Sequence, residues 1–155
     1  MARDLSLSLN ARLELSSNPQ RALDLIESAR PEDWWNPEIF GATVFNWTIE
    51  RFLRAELLWR LGRHEEALPW FEGLVVDPSS LPFRPVKHLR LGEIHEERGR
   101  LDRAAWHFGR VITLLNECDE EWSPVKEAAA QGLRRVGREG SGQGQRPAAP
   151  PSRTR

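Results

Sequence analysis

The chain has 155 residues and a formal net charge of −1, with 39% hydrophobic residues, four histidines and one cysteine, Cys118. A chain of this length can bury one sizeable core unaided, and a single cysteine excludes both a disulfide-stapled scaffold and a cysteine-built zinc site. No apolar run approaches the roughly 18 residues of a membrane span, and residues 1–10 carry Arg3 and Asp4 among isolated leucines, so no signal peptide is predicted and the expected address is cytoplasmic.

In chain order, Leu5, Leu9 and Leu13, then Leu23 and Ile26, recur at helical spacing on either side of Asn18-Pro19, a capping residue followed by a first-turn proline. They form the apolar stripe of one predicted helical hairpin. A second set runs from about Thr43 to Leu61, breaks at Gly62-Arg63 and resumes through Ala67, Leu68, Phe71, Leu74 and Val75 to Asp77-Pro78. A third runs from about Pro85 to Arg98, breaks at Gly99-Arg100 and resumes through Ala104, Ala105, Phe108, Val111, Ile112 and Leu115. A last helix starts at Ser123-Pro124 and is expected to fade at Gly137. No alternating strand pattern competes over a comparable length, so the fold class is all-α with about seven helices.

Charge divides the chain. Arg134–Arg155 holds six arginines and one glutamate, a net +5, which leaves −6 on residues 1–133. Residues 137–155 are Gly, Ser, Gln, Pro and Arg with almost no bulky apolar side chain, a composition that cannot offset the entropy of ordering it. The expected organisation is therefore a helical domain over 1–136 and a disordered, basic, Pro/Gly-rich tail over 137–155. Twenty of the 22 basic residues are Arg, which points to codon bias in a GC-rich bacterial genome more than to phosphate binding.

The second and third sets are copies of one template. Gly62, Ala67 and Phe71 correspond to Gly99, Ala104 and Phe108 at a period of 37 residues. Gly releases the chain from one helix, Ala lets the next approach closely, and Phe one turn later fills the gap. The first set repeats this faintly with Asn18, Ala22 and Ile26.

This pattern resembles the tetratricopeptide repeat, a 34-residue helix-turn-helix unit. Leu91-Gly92, Gly99, Ala104 and Phe108 fall on the family's Leu-Gly, turn, small and aromatic positions, whereas His88 and His95 stand where Trp and Tyr are expected. The second copy has Arg54-Ala55 in place of Leu-Gly, and the connection between the first two copies is lengthened by Pro31-Glu32-Asp33-Trp34-Trp35-Asn36-Pro37. The resemblance implies a short α-solenoid of about three antiparallel hairpins with a C-terminal capping helix, whose first helices line a concave groove that binds peptides.

Carried onto this chain, the family's groove positions are Asp4, Leu7, Ala11, Glu14 and Leu15, then Ile49, Phe52, Glu56, Trp59 and Arg60, then Val86, Leu89, Glu93, Glu96 and Glu97. The Lys and Asn of a carboxylate clamp are missing. Instead the glutamates would make an acidic lining floored by Phe52, Leu89 and Trp59, suited to a basic-apolar peptide; equally, they are ordinary solvated helix residues. Trp34 and Trp35 either fold back over the gap between repeats or form an exposed binding loop. Trp47, Trp59, Trp70 and Trp106 are expected to pack in the core or between repeats.

His88, His95 and His107 lack the spacing of a metal site and are expected to be structural; no metal and no cofactor are expected. Adjacent pairs such as Glu65-Glu66 and Glu96-Glu97 diverge on a helix and do not make an acid and base. With no P-loop and no nucleophile paired to a base, no enzymatic activity is expected. Nucleic-acid and membrane binding are not expected either, because no reading helix or stacking platform accompanies the basic tail. The expected function is a non-catalytic interaction module or scaffold, either the C-terminal part of a larger bacterial regulator or a chain that self-associates through its N-terminal face. The alternative is a helical sensor closing on a small cationic ligand.

Overall fold

The computed structural model describes residues 2–29, 48–74 and 78–143. Within them lie seven α-helices and no strand: α1 (Ala2–Glu14), α2 (Pro19–Ser28), α3 (Thr48–Arg60), α4 (His64–Glu72), α5 (Arg84–Glu97), α6 (Leu101–Leu114) and α7 (Ser123–Gln143). Short 3-10 segments, Pro78–Phe83 and Glu120–Trp122, precede α5 and α7. Trp34, Trp35 and Trp47 lie outside the described residues, as does the predicted start of the second set before Thr48.

The breaks between helices follow local chemistry. Asn18 caps α2 by accepting from the Arg21 N–H at 3.1 Å, with Pro19 in the first turn where no N–H is missed. The turns at Gly62 and Gly99 are the same structure twice. Each glycine has a left-handed backbone, with φ of 73° and 65°. The following residue closes the loop: Arg63 N–H donates to the Leu58 carbonyl, and Arg100 N–H to that of His95, each at 2.9 Å. This αL closure satisfies carbonyls the helix end would orphan, which only glycine does without a steric cost.

Each helix packs against its neighbours in sequence from α1 to α7, and α5 also packs against α7. The buried side chains form two clusters. One joins Leu23, Phe52, Leu57, Leu58, Ala67 and Phe71 to Leu91 and Ile94 of α5; the other joins Leu89 of α5 to Ala104, Phe108, Val111, Ala129 and Val136. Helix α5 thus feeds both. Ala67, Phe71, Ala104 and Phe108 are fully buried, as the repeated template requires. Phe108 sits where a Cβ on either Gly92 or Gly132 would come within 2.7 Å of its ring, so two glycines let α5 and α7 close on one aromatic side chain.

Three sequence expectations change. The stripe of α1 is turned outward: Leu5, Leu9 and Leu13 are 43%, 60% and 81% exposed, while Asp4, Ser8 and Ala11 face inward. The cause is the neighbour. Ser8 Oγ donates to Glu50 of α3 at 2.6 Å, Arg12 pairs with the same carboxylate at 3.2 Å, and the small Ala11 allows the approach. Trp106 is more than half exposed and lies outside the core, its ring resting edge-on against His88 of α5 and His107. Helix α7 continues past Gly137 to Gln143.

Candidate functional site

The glutamates expected to line a groove come together with arginines that the groove reading omitted. At the centre is Arg90 of α5, whose Nε and Nη2 each donate to Glu56 of α3 at 3.0 Å and whose Nη1 donates to Glu93 at 3.1 Å. Its guanidinium carbon lies 3.4 Å above the Trp59 ring. Glu56 also accepts from Arg60 Nε at 3.1 Å, and Arg60 reaches the Leu15 carbonyl beyond α1. Burial would lower the pKa of Arg90, but the hydrogen bonds and charge of Glu56, with Glu93 beside it, outweigh that and raise it. Burial pushes the Glu93 carboxyl up, against the pull of Arg90.

The remaining pairs lie further out. Glu96 takes two bonds from Arg135 of α7, at 2.7 and 2.8 Å. Glu97 meets His64 Nδ1 at 2.6 Å, and the His64 ring stacks near Trp59 with centroids 6.0 Å apart. Arg98 of the α5 end pairs with Glu65 of α4.

The expected acidic lining is therefore corrected in two respects. Phe52 and Leu89 are buried and do not floor an open groove; Phe52 stacks on Phe83 at 4.6 Å and meets Phe71 edge-on, and Leu89 belongs to the second core cluster. Glu56 is buried and bound by two arginines, because an ionised carboxylate at that depth needs paired donors. Glu93, Glu96 and Glu97 keep some exposure but each has a cationic or histidine partner. Trp59 is half-buried, with its Nε1 enclosed and without a hydrogen-bond partner among the described residues, and Arg60 remains exposed. The arginines at 90 and 135 were missed since each sits on a different helix from its glutamate partner at 56 or 96.

A second cluster joins α5 to α6. His88 Nδ1 lies 3.0 Å from His107 Nδ1, the His95 and His107 rings stack at 5.3 Å, and exposed Trp106 abuts both His88 and His107. Among the described residues no group of His, Cys, Asp or Glu is arranged to hold a metal ion. Burial first, then Lys87, Arg110 and Arg84, hold the His88 pKa down at about 4. Burial and the neighbouring histidines take His107 to about 3, and burial with Arg100 and Arg103 lowers His95, against a small opposing pull from Glu72.

Stability should follow these histidines. The folded pKa values lie below the unfolded value of about 6.5, so between them the unfolded chain binds more protons. The histidine contribution is intact above about pH 6.5 and shrinks as pH falls through 5 toward about 4, the value for His88. Urea midpoints measured from pH 7 to pH 5, above the main carboxylate range, are expected to fall, and His107→Gln is expected to flatten that slope. Glu93, whose carboxyl burial pushes up, works against this trend as it takes up a proton, so equal pH slopes in the unaltered chain and His107→Gln would show that the cluster is not held neutral.

No helix among the described residues is long and apolar enough to cross a membrane. Comparison with protein-family models, curated proteins and solved structures finds no match to this chain.

Proposed function

We propose that the chain is a non-catalytic protein-interaction module, a short solenoid of tetratricopeptide-like hairpins α1–α2, α3–α4 and α5–α6 with α7 as cap. One observation carries this reading: the two Gly turns have the same hydrogen-bond closure, and the Ala and Phe that follow each are fully buried at the same offsets. Contacts in series between first helices support it further. Ser8 meets Glu50, Glu56 meets Arg90, and Glu96 meets Arg135, so α1, α3, α5 and α7 are tied one to the next. A stack built this way adds hairpins one by one and leaves a continuous row of first helices to meet another molecule.

The partner is a basic-apolar peptide or protein segment lying along α5 beside Trp59 and Arg60. Magnitudes decide which glutamates it engages. Exposed ion pairs contribute only about 0–1 kcal/mol, so a basic segment can take the half-exposed Glu97 from His64 at small cost, and it reaches the more buried Glu96 by displacing its half-exposed partner Arg135. Glu56 is different, because exchanging the partner of a buried ion costs several kcal/mol. Trp59 also carries the chain's own Arg90 guanidinium on its ring, where a small cationic ligand would stack, which favours the peptide reading over the sensor.

An array of 15-residue peptides graded by Arg and Leu content tests this. Retention of the Arg- and Leu-rich members is expected, with at least tenfold weaker binding to Glu96→Lys/Glu97→Lys at unchanged helical content. Equal retention by the double variant would overturn the assignment of these carboxylates.

A further inference from the structure

The outward face of α1 has no partner within the described chain. Leu5, Leu9 and Leu13 stand at i, i+4 and i+8, one continuous line on the helix surface. Such a line exposes an apolar patch of a few hundred Å², about the largest a soluble monomer ordinarily shows, and larger ones mark interaction sites. The inward face is the polar one, with Ser8 only 2% exposed and bonded to Glu50. The helix is thus anchored by polar contacts and presents its leucines away from the core.

We propose that this face pairs with the same face of a second copy of the chain, the two α1 helices antiparallel about a two-fold axis near Leu9. That arrangement sets Leu5 of one copy against Leu13 of the other and opposes the helix dipoles. Charge selects a copy of the chain over a charged partner. On one edge of the stripe, Arg12 is already neutralised by Glu50; on the other, Asn10 Nδ2 donates to Ser6 Oγ at 3.4 Å. In this arrangement each edge meets its own counterpart, so the Arg12 edges face each other with each guanidinium already paired to Glu50, and the Ser6–Asn10 edges meet as neutral surfaces. No unanswered charge on the stripe would recruit an ionic partner, and the net charge of −1 leaves little long-range repulsion between copies.

Area sets the strength. A stable interface buries about 800 Å² per partner, and the leucine line with its edges supplies roughly half of that, so the dimer is reversible with a dissociation constant in the micromolar range or weaker. This pairing does not rest on the peptide reading above, since it uses a different helix.

Sedimentation equilibrium of the full chain from about 1 µM to about 500 µM is the test. The mass is expected to rise from 17.8 kDa toward twice that value, and Leu9→Glu/Leu13→Glu to remain at 17.8 kDa with unchanged helical content, these side chains being exposed already. In a Cys118→Ser background, Leu9→Cys is expected to cross-link to itself on oxidation, and Leu5→Cys to cross-link with Leu13→Cys but not with itself. A wild-type mass fixed at 17.8 kDa throughout, a dimer that survives the glutamate changes, or self-linking of Leu5→Cys would overturn the proposal. Peptide-array binding would be untouched by any of these results.

Discussion

Gly132→Ala is expected to lower the melting temperature by roughly 2–8 °C, although alanine is the better helix former by about 1 kcal/mol. The reason is the Phe108 ring. A Cβ at Gly132 would lie 2.5 Å from Phe108 Cζ and 2.6 Å from Cε2, and Gly92 of α5 crowds the same ring from its Cε1–Cδ1 side, where a Cβ would lie 2.6 Å from Cε1. The ring cannot retreat toward α5 without meeting that helix. Either α7 shifts or the ring leaves its rotamer, and overpacking of this kind costs about 1–3 kcal/mol, more than the propensity gain.

Two further variants separate this clamp from a general effect of glycine. Gly109 lies in α6, where an added Cβ meets nothing within 4 Å, so Gly109→Ala is expected to stabilise by up to about 1 kcal/mol. Phe108→Leu removes the ring and is destabilising alone, but it makes room at position 132. In that background Gly132→Ala should cost little, and the double-mutant coupling measures the clamp directly. A melting temperature for Gly132→Ala at or above that of the unaltered chain would show that α5 and α7 do not close on Phe108.

How far these features were legible depends on where their partners lie. The turns at Gly62 and Gly99 are local: a left-handed glycine, a small residue five positions on and an aromatic four later are all written within ten residues, and their burial follows. Helix α1 shows the opposite case. Its leucines have perfect helical spacing, yet periodicity identifies a stripe without saying which side the neighbours occupy, and Ser8 is drawn inward, with Arg12 held at the edge, by Glu50, some forty residues away. The acidic row on α3 and α5 was visible as a row of glutamates. The pairs Glu56–Arg60 and Glu93–Arg90 lie within one helix at i,i+4 and i,i+3 spacing, but the links from Arg90 to Glu56, from Arg135 to Glu96 and from His64 to Glu97 cross between helices and leave no mark in the sequence. Gly132 gave no signal either, standing in an exposed-looking stretch of α7 with its only reason for being glycine on α6.

Arg90→Ala is expected to have the largest effect of any single change at the α3–α5 joint, about 3–5 kcal/mol of lost stability. The side chain does three things at once: it binds both oxygens of buried Glu56, one oxygen of Glu93, and covers Trp59. Removing it leaves Glu56 with Arg60 alone, and Glu93, whose pKa burial already raises, loses its nearest cation. A buried carboxylate short of a partner costs far more than the pair contributed, so the single change should exceed the cost of replacing both residues. Glu56→Leu/Arg90→Met, of similar volume and without charge, is accordingly expected to recover most of the loss in urea unfolding at constant m value. Arg90→Lys keeps the charge but cannot serve Glu56 twice and Glu93 together, and should fall between. If Arg90→Ala unfolds within about 0.5 kcal/mol of the unaltered chain, the ion network is ornament to the Phe52–Phe83 stack; if it fails and the double change restores it, the joint between successive hairpins lies in the network.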